Sequence, residues 1–147
     1  MASEQQFSIS IDIKSPVDRV FEVMADTEHW PDWTPSVTSI KRLDEGEFKV
    51  GSKAVIRQPK FPPALWKITA IDGTSFTWEN RAPGIRVIAH HSAEPTPHGT
   101  RATLSVRYEG FLATLLARMT RSIKNRYLAM EAFGLKARSE NPFYRYA

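Results

Sequence analysis

Residues 111–137 decide the fold: Phe111-Leu112-Ala113-Thr114-Leu115-Leu116-Ala117-Arg118-Met119-Thr120-Arg121-Ser122-Ile123-Lys124-Asn125-Arg126-Tyr127-Leu128-Ala129-Met130-Glu131-Ala132-Phe133-Gly134-Leu135-Lys136-Ala137. Leu112, Leu116, Met119, Ile123, Tyr127 and Met130 recur every three or four residues, which predicts one long helix with an apolar stripe. The same register puts Arg118, Arg121, Lys124 and Asn125 on the outer face. A stripe of this length must be buried against a large partner, so the rest of the chain has to supply a sheet.

The preceding residues read as that sheet. Phe7, Ile9, Ile11 and Ile13 alternate with Ser8, Ser10 and Asp12, the period-two pattern of a strand with one buried face. Ser15-Pro16-Val17-Asp18 reads as a helix start, with Ser15 as N-cap and Pro16 in the first helical position. Val17, Val20, Phe21 and Met24 then carry a short amphipathic helix to about Asp26. The prolines in His29-Trp30-Pro31-Asp32-Trp33-Thr34-Pro35 limit that segment to a turn or a single helical turn bearing two large aromatics. Strands are predicted at 37–43, 52–58, 65–72, 75–81, 85–93 and 101–109, separated by clusters such as Asp44-Glu45-Gly46 and Ala82-Pro83-Gly84. Asp72-Gly73 between two β-rich runs is a hairpin signal.

The expectation is therefore an α+β chain. A seven-stranded curved antiparallel sheet wraps around the long C-terminal helix, with two short helices after the first strand. Residues 1–138 are read as one domain and 139–147 as a loosely held tail. A curled sheet and a single helix leave an elongated space between them, the usual place for an apolar ligand.

Composition narrows the functions. The chain has 147 residues, 41% hydrophobic and 24% charged, which suits a single globular domain. It has no cysteine, so disulfide scaffolds, thiolate metal sites and cysteine nucleophiles are excluded. The net charge is +4, but residues 1–110 hold 13 Lys/Arg against 14 Asp/Glu and residues 111–147 hold 7 against 2. The basic character thus belongs to the C-terminal helix; phosphate or an anionic membrane surface would suit it, and a solvated face is the simpler reading. No apolar run approaches the ~18 residues of a membrane span, so no stable membrane insertion is expected. Met1-Ala2-Ser3-Glu4-Gln5-Gln6 lacks the basic-then-apolar run of a secretory signal, and a cytoplasmic location is expected. There is no glycine-rich phosphate loop, no Gly-x-Ser-x-Gly elbow, no paired carboxylates on an inward face and no nucleic-acid module.

Alternation assigns the cavity wall, because the apolar set of each strand must face the long helix. The inward sets are Ala54, Ile56 and Gln58; Trp66, Ile68 and Ala70; Phe76, Trp78 and Asn80; Ile85, Val87, Ala89 and His91; and Leu104, Val106 and Tyr108. The helix contributes Leu116, Met119, Ile123, Tyr127 and Met130. His91 is the candidate acid–base group, since imidazole titrates near neutrality, although a histidine satisfied by a neighbouring hydroxyl is the commoner case. Tyr108 and Tyr127 are candidate donors to a developing enolate, or else core tyrosines with their hydroxyls at the cavity edge. His90 should point away from His91, since adjacent strand residues face opposite ways, so no metal or other cofactor is expected. Trp30 and Trp33 would plug the barrel mouth or line a portal, and Phe61-Pro62-Pro63-Ala64-Leu65 reads as an apolar loop of the kind that gates a cavity.

The arrangement resembles the helix-grip fold of the START and birch-pollen-allergen superfamily, SRPBCC, and within it the bacterial polyketide cyclase/dehydrase-type proteins. The resemblance is carried by Ser15-Pro16-Val17 with Val20-Phe21, Trp30-Pro31-Asp32-Trp33-Thr34-Pro35, Gly51-Ser52, Trp66-Lys67-Ile68-Thr69 and Phe76-Thr77-Trp78. It continues through His91, Glu94-Pro95, Gly99-Thr100 and Met130-Glu131-Ala132-Phe133-Gly134-Leu135-Lys136. It spans about residues 5–138. Such a family includes carriers, cyclases, quinone-binding proteins and co-chaperones, so it implies a fold more sharply than a function. The expectations, in order, are binding of a lipid, quinone or polyketide-like molecule, a cyclase/dehydrase-type enzyme using His91, Tyr108 and Tyr127, and a protein-interaction domain. An exposed edge strand or the aromatic tail offers a route to a weak dimer.

Overall fold

The computed structural model describes residues 5–146. Strand β1 (Gln6–Ile13) leads into helix α1 (Val17–Ala25), a 3-10 turn (Thr27–His29) and the single-turn helix α2 (Trp30–Trp33). Six strands follow: β2 (Ser39–Arg42), β3 (Lys53–Arg57), β4 (Ala64–Ile71), β5 (Ser75–Ala82), β6 (Ile85–Thr96) and β7 (Gly99–Glu109). Helix α3 (Ala113–Glu140) closes the order and runs three residues beyond the predicted end.

All seven strands form one antiparallel sheet in the order β1-β7-β6-β5-β4-β3-β2. The meander is thus consecutive hairpins, with β1 returning to pair the last strand. Pairings such as Phe76 with His91 and Ala89 with Val106 put the predicted inward sets side by side on one face. Between Ile68 and Ala70 the β4–β5 register shifts. This bulge turns Ala70 outward, against the expected alternation, and brings Ile71 onto the core. Helix α1 also starts one residue later than expected. Pro16, in extended conformation, is the N-cap, and the Ser15 carbonyl instead accepts a 2.7 Å bond from the Thr100 hydroxyl.

The register of α3 differs from the predicted stripe. Ala113, Ala117, Tyr127, Leu128, Glu131, Ala132 and Leu135 are buried, whereas Met119 is 70% exposed and Leu115 55%. The helix is rotated by about one residue position, 100° on a 3.6-residue turn. Apolar Leu115, Met119 and Phe133 on the outer face imitate a core stripe, while the inner face uses alanines where it meets β1 and β7. Lys124, assigned to the outer face, therefore turns inward.

Gly134 fixes how α3 meets α2. A Cβ on it would lie 2.0 Å from the Trp33 carbonyl oxygen, so only glycine lets the two helices approach this closely. The residues after α3 fold back over α2: Arg145 pairs with Asp32 at 3.1 Å, and Arg138 donates to the Tyr144 carbonyl at 2.8 Å. No helix of the described residues is long and apolar enough to cross a membrane.

Candidate functional site

Between the sheet and α3 lie two adjoining cavities. The outer one, about 320 Å³, is walled by Ile56, Ala64, Trp66, Ile85, Val87 and Leu116, with Phe61 and Pro62 of the β3–β4 loop at its rim. Asn80, Tyr108 and Thr120 supply its polar edges. The inner one, about 50 Å³, is lined by Trp30, Val37, Trp78, Ala89, Val106 and Leu128, with His91, Ser105, Tyr127 and Glu131 among its polar groups. Ile56, Gln58, Trp66 and Lys124 line both, so the two chambers meet at a throat. The outer volume lies at the lower end of the range for small-molecule sites, roughly 300–1,000 Å³, whereas the inner one has room only for a few waters or a small group.

Of the residues assigned from sequence, Asn80, Val87, Tyr108 and Leu116 line the outer chamber; Trp78, Ala89, His91, Val106 and Tyr127 line the inner one. Ile56, Gln58 and Trp66 line both. Ile68, Phe76 and Leu104 are fully packed in the core behind these walls. Met119 is exposed and Ile123 half-buried, and neither faces a chamber; the rotation of α3 accounts for both. The same rotation brings in Lys124, Leu128 and Glu131, which the apolar stripe did not reveal. Their spacing of four, three and seven residues was legible only once Ala113, Ala117 and Gly134 were read as close-packing positions rather than as neutral ones.

His91 is buried in an aromatic box. Its ring stacks on Phe76 at 4.5 Å and lies 5.3 Å from Trp30 and 6.2 Å from Trp78. Its Nδ1 has no hydrogen-bond partner among the described residues. Burial, with a smaller push from neighbouring His90, lowers its pKa to about 3, so the imidazole is neutral at physiological pH. His90 points outward and bonds to Thr77 at 2.6 Å, as the alternation requires.

The two tyrosines are separated rather than convergent. Tyr108 bonds to the Thr120 hydroxyl at 2.8 Å, and that hydroxyl donates to the Leu116 carbonyl at 2.7 Å, so the phenol proton is spent on Thr120. Tyr127 donates to the Pro59 carbonyl and packs edge-on against Phe61, tying the β3–β4 loop to α3. Burial pushes both phenols above their ordinary pKa. Neither proton is free for a ligand oxygen in this arrangement.

Among the described residues, Glu131 and Lys124 are the carboxylate and ammonium groups that line the chambers. Glu131 accepts from the Ser36 hydroxyl at 3.3 Å, and Ser36 in turn bonds Thr34 at 2.7 Å; both hydroxyl residues are completely buried. Burial raises the Glu131 pKa to about 7, with Lys124 and Ser36 pulling the other way. Burial lowers the Lys124 pKa, and its ammonium sits 4.7 Å from the centre of the Phe61 ring. Among the described residues no three His, Asp or Glu side chains cluster as metal ligands.

Fold and cavity together define a helix-grip protein of the SRPBCC class. The family model described as polyketide cyclase / dehydrase and lipid transport matches residues 4–139, and the chain belongs to that family. Similar solved structures include the Zhui aromatase/cyclase of a Streptomyces species, 16% identical over 95% of this chain and 96% of that one, with a TM-score of 0.76. A START superfamily protein from Mycobacterium smegmatis matches with a TM-score of 0.76 and 14% identity, over 94% of this chain and 99% of that one. The di-domain aromatase/cyclase StfQ of the steffimycin biosynthetic pathway matches with a TM-score of 0.74 and 12% identity; the match covers 96% of this chain and 53% of StfQ. At these identities the likeness is one of fold. No curated protein matches the sequence.

Proposed function

We propose that the chain encloses a hydrophobic or aromatic small molecule, its body in the outer chamber and its tip at the throat. One observation carries this reading: a chamber of about 320 Å³, walled by aliphatic and aromatic side chains, runs from a rim of Phe61 and Pro62 into the interior. A core that needed only to be stable would close such a space, because unfilled volume forfeits packing. The membership of a family that covers both cyclases and lipid transport supports the same class of ligand.

The test is a titration with a neutral apolar probe, a short-chain benzoquinone, followed through quenching of Trp66 and Trp78. Saturable quenching is expected, weakened about ten-fold or more by Ala64→Phe, which fills the outer chamber. Quenching that is linear in probe, or indifferent to Ala64→Phe, would reject the proposal.

A second reading, cyclase/dehydrase-type catalysis, is favoured by one group only. Glu131, with a pKa of about 7 in the inner chamber, has the acidity of a general acid–base, whereas neutral His91 is too weakly basic and both tyrosines are committed. Turnover of a poly-β-ketone that collapses in Glu131→Gln and survives in His91→Phe would establish it; no turnover of such compounds leaves binding as the function.

A further inference from the structure

The throat between the two chambers holds two donors without matching acceptors. Lys124 lines both chambers, and among the described residues its ammonium makes no hydrogen bond and no ion pair. Its ammonium lies 4.7 Å from the centre of the Phe61 ring, and Glu131, the one carboxylate lining these chambers among the described residues, stands two helical turns further along α3, where its charge bears on Lys124 without pairing with it. Gln58 also lines both chambers. One proton of its amide nitrogen goes to the Ser36 carbonyl at 3.2 Å, and the second has no acceptor among the described residues.

A half-buried ammonium with a ring face beside it and no hydrogen-bonded or paired anion is incompletely compensated, because cation–π attraction replaces part of its lost hydration and a contacting anion would replace more. The walls on either side are apolar, so an anion arriving here must carry an apolar body. A single cation, with no arginine among the described lining residues, matches a monoanion rather than a phosphate dianion.

We infer that the ligand is an amphipathic acid, with its hydrocarbon or aromatic body in the outer chamber and one carboxylate at the throat on Lys124 and Gln58. This rests on the cavity being a ligand site and adds the chemistry of the head group. Lys124 fixes the depth to which the ligand enters. The inner chamber, too small for the body, then receives at most the carboxylate and water.

Decanoate and decanol, alike in chain and different in head group, test the inference by calorimetric titration of the wild type and of Lys124→Met, which keeps the apolar stem. The expected result is decanoate binding about ten-fold or more tighter than decanol, with that preference lost in Lys124→Met while decanol binding is retained. Equal affinities for the two in the wild type, or a preference for decanoate that survives Lys124→Met, would overturn the head-group assignment and leave the cavity reading standing. Binding of neither compound to the folded wild type would overturn both.

Discussion

The Ser36 hydroxyl donates to Oε2 of Glu131 at 3.3 Å, joining two residues 95 positions apart at the floor of the inner chamber. The loop after α2 and the middle of α3 are brought together by Gly134, which lets Trp33 rest on the α3 backbone. Burial raises the carboxyl pKa to about 7, and the Ser36 hydroxyl and the Lys124 charge offset only part of that rise.

Glu131 should make stability fall as pH rises. Its folded pKa, about 7, lies above the unfolded value of 4.5, so the folded state binds more protons between those limits. Stability from this group is complete below about pH 4.5 and is lost as pH passes through 7, by about 3 kcal/mol at most. Urea melts at pH 5 and pH 8.5 should show this loss in the wild type and little of it in Glu131→Gln.

His91 should act in the opposite direction and lower in pH. Its folded pKa of about 3 lies below the unfolded 6.5, so stability is complete above about pH 6.5 and falls as acid protonates the unfolded chain. The loss amounts to about 5 kcal/mol by pH 3. His91→Phe keeps the aromatic box and removes the titration, so its acid-unfolding midpoint, followed by circular dichroism, should lie below that of the wild type.

Gly134→Ala tests the approach of α2 to α3. A helical Gly→Ala exchange ordinarily gains about 1 kcal/mol, but here the methyl collides with the Trp33 carbonyl. A net loss of about 2 kcal/mol or more is expected in denaturant melts, since overpacking strain typically costs about 1–3 kcal/mol and the obstacle is rigid backbone.

The register of α3 can be read from a pair of truncations. Met119→Ala should change stability by no more than about 0.5 kcal/mol, as at an ordinary surface position. Leu128→Ala, in the core, should cost about 2–5 kcal/mol. Reversed magnitudes would restore the stripe expected from sequence.

Much of the fold was legible because the strands alternate cleanly and are bounded by turn residues: β5, β6 and β7 begin within two residues of their expected starts. The wall residues Ile56, Trp66, Trp78, Val87, His91 and Tyr108 followed from that alternation. Helix α3 was legible in length but not in rotation, because Leu115, Met119 and Phe133 are apolar and exposed while Ala113 and Ala117 are small and buried. Hydrophobicity alone ranks the first set above the second; close packing on the sheet reverses the order. Lys124 and Glu131 were hidden by the same rotation, since charged side chains on a helix are ordinarily read as solvated. The bulge at Ile68–Ala70 has no turn residue to announce it.

The most direct measurement is an amide-correlation NMR titration of the isotope-labelled protein with fatty acids, quinones, flavonoids and aromatic polyketides. A ligand cavity predicts saturable shifts confined to the walls and throat, at Ile56, Trp66, Trp78, Val87, Lys124 and Glu131, with Met119 and Arg121 unmoved. Spectra that stay flat across all four classes in a folded protein, or shifts confined to the outer face of α3, would contradict it.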